Sequence, residues 1–495
     1  MKIGALIAPP SQSPETLGTI LIETFMQKRD LKYLLTVLLL TFSQIVKAQI
    51  KSDTATLIAI KNVNIITMTL ENKIIENAVI LIKDKKIVSI NGTIPKSAKT
   101  INGKGKWLIP GLIDMHVHGL TDSYYSSTYP TKGATYFFDT QDVMLPYVAN
   151  GVTTIFDLNA RAENFGQRNE IIKGHVIGPR IALAALINGG DGSGRIANTP
   201  SDGRQTVRLA KAEGYEFIKV YSDLNIETFK AIIDEANKQK IKVLGHIPDA
   251  FKSTIEEAFS PSFNMIVHAE ELAKQSKDYS EEDIQNFVKL SKENSIWFSP
   301  TLITIERILD QTISLDNIIK LKGFQYIHPL MRSKWLTSNQ YNKRTSPEFI
   351  AYLERMIQFN NRLVKAFHEA GIPIIAGTDA GTSGVIYGFS LHDEIELLVK
   401  AGLTPEEALA STTRLSATWL GIADKIGTVE VGKYADLVLL DENPLNDIQN
   451  TRKISGVFFN GKWIAKKKID NMLSDLAKRN AENKNKFDWN KRKDL

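Results

Sequence analysis

Two histidines spaced by one residue, His116 and His118, close an apolar run that begins at Ile113 and is followed by Gly119. In a β-strand, the side chains at positions i and i+2 point to the same side. On a strand, both imidazoles would face one space, about 6–7 Å apart along the chain, which is close enough to bind one metal ion. The spacing therefore predicts a pair of metal ligands at the end of a strand.

A lysine, Lys219, lies inside the apolar segment 217–221. An unpaired buried ammonium is costly, so this side chain either reaches out to solvent or is neutralised. Burial lowers the pKa of a lysine, and the neutral amine can react with carbon dioxide to give a carbamate. A carbamate is an anionic oxygen ligand that can bridge two metal ions. Tyr221 faces the same side, either as a hydrogen-bond donor to a substrate or as part of the packing.

Three more polar residues, His246, His268 and Asp379, each end an apolar segment. One such histidine would more often be an ordinary core residue, but two that are 22 residues apart fit neighbouring strand–helix units. A buried carboxylate is penalised unless a metal ion or a hydrogen-bond donor pairs with it. We expect these three side chains to converge with the histidine pair and the lysine at one metal site.

The segments that end in these residues belong to a series of eight apolar, strand-like stretches. The stretches comprise residues 113–118, 153–158, 180–186, 217–221, 243–246, 265–268, 296–301 and 374–378. Helical patterns separate most of them, at residues 226–238, 283–292, 349–370 and 405–410. This alternation predicts an α/β fold with a (β/α)8 TIM-type barrel, whose active-site residues lie at the carboxyl ends of the strands. The long connection 301–373 predicts extra helices that cover the site.

Short β-rich segments flank this series on both sides, at residues 56–107 and 427–463. Neither block has enough strands to be stable alone, so together they predict one small β-sandwich domain. The expected organisation is a first β part, the barrel, a second β part and a basic surface tail, which is a helix that frays. Their predicted bounds are 54–110, 111–426, 427–465 and 466–495.

Composition limits the possible chemistry. The chain of 495 residues has a formal net charge of +6 and 43% hydrophobic residues, which are ordinary values for a globular protein. It contains no cysteine, which excludes disulfides, thiolate chemistry and cysteine-based zinc sites. The sequence has no clustered basic stripe of the kind that binds nucleic acid. A metal site must therefore use histidine, carboxylate or modified lysine ligands.

The first 49 residues are typical of an export signal. A basic stretch at 27–32 precedes an apolar core of 14 residues at 33–46, too short for a comfortable membrane span. Small residues before Gln49 allow cleavage there. We expect export to the periplasm or the exterior of a bacterial cell, with no membrane attachment after cleavage. An uncleaved anchor or a buried helix is the alternative.

Residues 1–25 would form an unusual prefix to such a signal. Met26 stands directly before the basic stretch. Translation is therefore expected to start at Met26.

Taken together, these residues resemble the amidohydrolase superfamily, in particular its imidazolonepropionase-like and Xaa-Pro-dipeptidase-like branch with a bridging carboxylated lysine. The resemblance covers residues 56–465 and is carried by the polar strand ends. Two later stretches add to it, GLTPEEAL at 402–409 and GTVEVGKYADLVLLD at 427–441. In that family the second stretch returns the chain to the small β-domain.

The resemblance implies a hydrolase that cleaves an amide C–N bond with two divalent metal ions, usually zinc. His116, His118 and Asp379 would bind one ion, His246 and His268 would bind the other, and N-carboxylated Lys219 would bridge them. A hydroxide between the ions would attack the amide carbonyl. Asp379 would move the proton to the leaving amine, and Tyr221 would donate a hydrogen bond to the substrate.

The expected partner is a small molecule or a short peptide, such as a dipeptide, an acyl amino acid or a cyclic amide. Specificity is expected in the loops 119–142, 187–205 and 300–348. Candidate contacts in and near these loops are Tyr124, Tyr125, Arg161 and Arg195. Assembly of the chain into a homo-oligomer stays open.

Two alternatives follow from the same scaffold. A mononuclear, deaminase-like amidohydrolase would use one ion, but deaminases of this superfamily generally lack the bridging lysine. A catalytically inactive exported binding protein would have lost at least one ligand, and none of the expected ligands is missing from the sequence.

Overall fold

The computed structural model describes residues 57–120, 122–124, 135–190 and 192–494. The predicted export signal and the side chains of Tyr124 and Tyr125 lie outside the described residues. Within the described part of the chain, no helix combines the length and the apolar character that a membrane crossing requires.

Seven strands form a parallel sheet in the order β15-β14-β13-β12-β10-β9-β6, with the short β11 beside β10. The seven are β6 (Leu112–Val117), β9 (Val152–Asp157), β10 (Arg180–Asn188), β12 (Phe217–Val220), β13 (Lys242–Gly245), β14 (Phe263–Val267) and β15 (Trp297–Ser299), and the short additional strand is β11 (Arg195–Ile196). Each main strand matches a predicted one. Strands buried on both faces read as nearly continuous apolar runs, which is why these segments were recognisable.

The segment 374–380 takes the eighth position of the barrel. Residues 374–378 were predicted as a strand, but the segment forms only isolated bridges, at Ile374 with Phe298 and at Ala380 with Val117. On one side, the amide of Ile375 donates to the Phe298 carbonyl at 2.9 Å. On the other, the amide of His118 donates to the Ala380 carbonyl at 2.8 Å. The segment thus closes the (β/α)8 barrel without regular strand geometry.

Helices surround the sheet in the alternation that the sequence predicts. They are α1 (Thr140–Ala149), α2 (Ala162–Lys173), α3 (Pro200–Glu213), α4 (Ile226–Lys238), α5 (Ala269–Gln275), α6 (Glu281–Glu293), α7 (Leu302–Ile313), α8 (Leu315–Ile319), α9 (Pro329–Thr337), α10 (Pro347–Glu369), α11 (Phe389–Lys400), α12 (Pro405–Ser411) and α13 (Arg414–Leu420). The connection between β15 and the eighth segment holds α7 to α10, so the predicted extra helices are present.

A second sheet of eight strands combines both ends of the chain, in the order β18-β17-β16-β5-β1-β2-β3, with β4 beside β1. Its strands are β1 (Leu57–Ile66), β2 (Ile74–Lys83), β3 (Lys86–Ile90), β4 (Lys99–Asn102), β5 (Trp107–Pro110), β16 (Leu437–Leu440), β17 (Ile454–Phe459) and β18 (Lys462–Ala465). The antiparallel pair β5–β16 joins the two parts. The β-domain built from both ends is confirmed, while its predicted bounds stay a prediction.

Two features complete the fold. A small hairpin, β7 (Asp122–Tyr124) with β8 (Thr135–Phe137), follows β6. After β18, helix α14 (Lys466–Glu482) buries Ile469, Leu473 and Leu476. The sequence predicts that this tail frays toward its end, whereas in the structure Trp489 is only 6% exposed.

Candidate metal centre

The six predicted ligands all lie at the carboxyl ends of the barrel strands. His116 belongs to β6, His118 follows it, and Lys219 is the third residue of β12. His246 and His268 directly follow β13 and β14, and Asp379 follows the eighth segment. All are buried except His118, whose side chain is 31% exposed. The barrel therefore gathers residues that are up to 263 positions apart in sequence, from His116 to Asp379.

One half of the cluster is centred on Asp379. Its Oδ1 atom lies 2.9 Å from Nε2 of His118 and 3.2 Å from Nε2 of His116. Each of these three residues has a potential metal-ligating atom that lies within 4.8 Å of those of the other two. The Lys219 Nζ atom lies 3.1 Å from Nε2 of His116. The lysine therefore does not reach out to solvent, and it adjoins the three-residue group.

The other half is formed by His246 and His268, whose ring centroids are 4.9 Å apart. The ring of His268 also lies 4.6 Å from that of His116, which joins the two halves. The Tyr221 ring packs 4.0 Å from the His246 ring, and Lys219 Nζ is 5.4 Å from the Tyr221 centroid. The predicted tyrosine thus borders the predicted ligands.

Partners outside the predicted set orient these two imidazoles. Nδ1 of His246 lies 2.9 Å from Ser222 Oγ and 3.0 Å from Glu271 Oε1, and Nδ1 of His268 lies 2.6 Å from Thr301 Oγ1. Metal-binding histidines commonly use one ring nitrogen for such a contact and the other for the metal. Sequence reasoning missed Glu271, although an acidic residue in the first turn after a strand-end histidine could have indicated a hydrogen-bond partner for a metal-binding imidazole.

Sequence reasoning also missed Asp114. This buried residue holds the backbone at His116 and at Thr378, the residue before Asp379. Its Oδ1 accepts from the amides of His116 at 3.2 Å and Thr378 at 3.1 Å, and its Oδ2 accepts from the Thr378 hydroxyl at 2.7 Å. Burial raises the pKa of Asp114 to about 7, against the effect of these donors. Asp114 continues the two-residue spacing of His116 and His118, so the period that predicts the pair also pointed to it.

The backbone is strained at two ligand positions. His268 has φ 70° and Asp379 has φ 61°, a region that residues other than glycine rarely adopt. Such a conformation costs on the order of 1–3 kcal/mol and persists where the surroundings over-determine it. Gly377, two residues before Asp379, is needed for close approach, because a Cβ there would lie 2.8 Å from the His116 Cβ.

Burial shapes the electrostatics of the site. It lowers the pKa of Lys219 to about 8, although the nearby Asp379 carboxylate favours the charged amine. It lowers the pKa of His116 to about 3, with the Lys219 charge acting in the same direction. Burial alone would raise the pKa of Asp379, but contacts with His116 and His118 hold it well below its usual range. A neutral His116 imidazole beside an ionised Asp379 carboxylate matches the protonation states that metal ligands require.

The side chains present fit divalent metal ions. The donor set consists of imidazole nitrogen and carboxylate oxygen, which suits zinc and similar ions, and a neutral lysine can add a carbamate oxygen. Among the described residues, Nε2 of His246 is buried and has no hydrogen-bond partner. A buried polar atom without a hydrogen-bond partner is unfavourable, and a metal ion bound to His246 Nε2 would supply the missing partner.

A cavity of about 1120 Å³ opens beside this cluster and includes His118 and Gly381 in its wall. Arg161 and Arg195 line it, and so do residues from each predicted specificity loop, such as Leu120, Gly194 and Met331. Arg195 is engaged by the Glu213 carboxylate. Sequence reasoning did not identify Lys334, a further cation in the wall.

The sequence model of the amidohydrolase family matches residues 107–464. The chain belongs to this family. The match spans the whole barrel and ends at β18, so the family assignment rests on the elements that carry the candidate metal ligands and not on the tail.

Two relatives extend over most of the chain at low identity. An imidazolonepropionase from Thermoplasma volcanium is 23% identical over 404 residues, which cover 79% of this chain and 91% of the relative. An ochratoxinase from Aspergillus niger is 24% identical over 453 residues, which cover 78% of this chain and 83% of the relative. They place the chain among hydrolases of the imidazolonepropionase-like branch, as the sequence predicts.

Solved structures confirm the fold. A bottromycin amidohydrolase superposes with a TM-score of 0.66 at 19% identity, over 88% of this chain and 92% of that chain. A Xaa-Pro dipeptidase with methionine bound in its active site superposes with a TM-score of 0.61 at 20% identity, over 83% of this chain and 100% of that chain. At these identities the likeness establishes the amidohydrolase fold alone.

Proposed function

We propose that this amidohydrolase is a binuclear metal-dependent enzyme that cleaves an amide C–N bond in a peptide-like, acyl-amino-acid or cyclic amide substrate. The observation that supports this proposal most is the convergence of four histidines, a buried lysine and an aspartate at one end of the barrel. In addition, the cavity beside them, of about 1120 Å³, has room for a small substrate.

The residues divide into two ligand groups. His116, His118 and Asp379 would hold one ion, and His246 with His268 would hold the other. Lys219, once carboxylated, would bridge them, because its amine adjoins His116 and burial favours the neutral form that reacts with carbon dioxide. When bound there, divalent ions supply Lewis acidity and lower the pKa of water from about 16 to about 7.

Asp379 and Tyr221 would carry the proton and hydrogen-bond steps. Oδ2 of Asp379 accepts from the Thr382 hydroxyl at 2.9 Å, which holds the carboxylate in one orientation. From that position the carboxylate would accept a proton from water and deliver it to the leaving amine. Burial raises the pKa of Tyr221, so its hydroxyl stays protonated and can donate to the substrate carbonyl or carboxylate.

The relatives support the substrate class without fixing the substrate. Among the similar structures, one is a Xaa-Pro dipeptidase and another is a bottromycin amidohydrolase. We extend to this chain only the shared feature, an amide bond in a small or peptide-like molecule.

Metal analysis combined with a substrate panel tests the proposal. The expected result is close to two ions per chain and hydrolysis of at least one dipeptide, N-acyl amino acid or lactam. His246→Asn should lose about one ion and its activity. The matched control His175→Asn changes a histidine that is 66% exposed and paired with Glu170, and it should behave as the wild type.

The two alternatives give different outcomes in the same experiment. About one ion per chain with retained activity would favour the mononuclear, deaminase-like enzyme. No bound ion and no activity after purification in excess zinc would favour a catalytically inactive binding protein. Either result would overturn the binuclear proposal.

We also propose that the chain is exported through an N-terminal signal. The support is the basic stretch followed by an apolar core and small residues before Gln49. N-terminal sequencing of protein recovered from the periplasm or medium should begin at Gln49. Recovery of the chain only from the cytoplasm, with its N-terminus intact, would contradict export.

A further inference from the structure

The C-terminal tail, residues 466–494, lies beyond the family match, which ends at residue 464. Its helix α14 is nevertheless anchored on the barrel. Leu473 and Leu476 are buried, and Asn480 is 4% exposed. The Asn480 side chain donates to the carbonyls of Gln325 at 3.1 Å and Ile327 at 3.3 Å. The tail is thus fixed against the segment that leads into α9.

Helix α9 (Pro329–Thr337) receives further contacts from the tail. The Arg332 guanidinium donates to the Asn480 carbonyl at 3.2 Å. The amide of Trp489 donates to the Ser333 hydroxyl at 2.9 Å. The Phe487 ring lies 4.7 Å from the ring of His328, the residue that caps α9. Contacts from the tail therefore reach α9 at its N-terminal cap and along its middle.

The same helix forms part of the cavity wall beside the metal centre. Met331 and Lys334 of α9 line the cavity that also contacts His118. The Lys334 ammonium lies 4.8 Å from the centroid of the Trp489 ring, within the range of a cation–π interaction. Since Trp489 is 6% exposed, the ring is a fixed surface against which the lysine side chain rests.

Charge in the wall indicates what Lys334 could bind. Three basic side chains, those of Arg161, Arg195 and Lys334, are among the described residues that line the cavity. Basic side chains in the wall of a substrate cavity favour substrates that carry an anionic group. In the proposed substrate class, that group is a carboxylate.

We propose that the C-terminal tail is a specificity element of the cavity, in which Trp489 positions the Lys334 ammonium to bind the carboxylate of an anionic amide substrate. This inference rests on the proposed amide hydrolase function. Lys334 is the substrate contact, and Trp489 is a positioning residue that acts through it. The tail would thus add substrate selection to a barrel of the family, whereas the proposed metal ligands lie at the ends of the barrel strands.

The test compares Trp489→Leu, Lys334→Gln and the exposed-lysine control Lys484→Gln, with a matched pair of substrates. The pair is an N-acyl amino acid hydrolysed by the wild type and its neutral C-terminal amide. Trp489→Leu should raise KM for the carboxylate substrate by about five-fold, the size of a lost cation–π contact. Its kcat, its bound metal and the KM for the neutral amide should stay at the wild-type values.

Lys334→Gln should produce the same selective rise in KM, and Lys484→Gln should produce none. The double variant should be no worse than Lys334→Gln alone, because both changes act through one ammonium. A purely structural tail would instead lower thermal stability and affect both substrates equally. That outcome would overturn the inference. So would a Trp489→Leu variant in which the ratio of the KM for the carboxylate substrate to the KM for the neutral amide equals that of the wild type.

Failure of the proposed function is separable from failure of this inference. If the wild type hydrolyses nothing in the panel, calorimetry measures binding of N-acetyl-L-phenylalanine and N-acetyl-L-phenylalaninamide. Preference for the carboxylate that disappears in Lys334→Gln and Trp489→Leu supports the inference without any catalysis. Equal affinity of the wild type for the two ligands counts against it.

Discussion

The candidate metal centre and the cavity wall beside it are built in different ways. The centre uses residues at the ends of barrel strands, all buried except His118, and hydrogen bonds such as those of Asp114 and Glu271 hold them in place. The wall uses a strand–helix loop at Arg161, the helix α9 and the tail that packs on it. The barrel alone fixes the first region, whereas the second depends on segments added around it. We therefore expect substitutions in the centre to abolish chemistry and substitutions in the wall to change substrate selection.

The largest expected effect comes from Asp379→Asn. The amide keeps the size of the side chain but cannot accept and release a proton, so kcat should fall by about 10²–10⁴-fold. Steady-state kinetics and metal analysis of the purified variant measure this. The control Asp475→Asn removes an exposed carboxylate from α14 and should leave kcat unchanged. A variant with wild-type kcat would remove Asp379 from the proposed chemistry.

A smaller loss is expected from Asp114→Ala, which tests whether the buried support under the ligands matters. The change removes the acceptor for the amides of His116 and Thr378, so kcat or metal affinity should fall by about 10–100-fold. Asp114→Asn retains one acceptor oxygen and should recover part of the loss. Competition with a chelator gives the metal affinity. Equal behaviour of the two variants would show that hydrogen bonding by Asp114 does not position the ligands.

The convergence of the candidate ligands was predictable because strand geometry leaves few arrangements. A two-residue spacing pairs His116 with His118, and a lysine within an apolar strand such as Lys219 has few roles other than a functional one. The eighth segment was placed correctly, but its irregular backbone was not foreseen. Asp379 has a positive φ, and its amide donates to the carbonyl of His116 in β6, which is remote in sequence. Local patterns carry no information about such contacts.

The wall was not predictable for a related reason. Trp489 meets Ser333 across 156 positions of sequence, and neither residue belongs to a periodic pattern that requires a partner. The composition of the tail, rich in lysine and asparagine, indicates an exposed helix, and only a few apolar residues such as Leu476 reveal its buried face. The loops predicted to shape specificity do line the cavity, but Arg161 and Arg195 could not be ranked without Glu213 in view.

A third prediction concerns the wall itself. Phe165 of α2 lines the cavity and packs 5.0 Å from the Tyr215 ring. Phe165→Ala removes apolar contact with the substrate, so KM should rise by about ten-fold while bound metal stays constant. Leu209→Ala, at a side chain 44% exposed on α3, is the control for a lost apolar group. Loss of metal from Phe165→Ala would contradict the separation of the two regions.

The smallest effect is expected at Glu394 of α11, which caps the helix that follows Thr301. Its carboxyl oxygens accept from the amides of Leu302 at 3.1 Å and Ile303 at 2.8 Å, at the start of α7. That helix directly follows Thr301, the hydroxyl partner of His268. Burial raises the pKa of Glu394 to about 8, so the folded protein holds a proton that the unfolded chain releases above its ordinary pKa of 4.5.

Because the folded state binds the extra proton, the free energy of unfolding should fall as pH rises from about 4.5 to about 8. The slope from this one group is at most about 1.4 kcal/mol per pH unit. Glu394→Gln removes the titration and should flatten the dependence, whereas Glu354→Gln on the exposed face of α10 should not. Urea unfolding of the metal-loaded proteins at three pH values in this window measures the slope. Parallel curves for the wild type and Glu394→Gln would show that Glu394 is ionised in the folded protein, so that α7 is capped by a full charge.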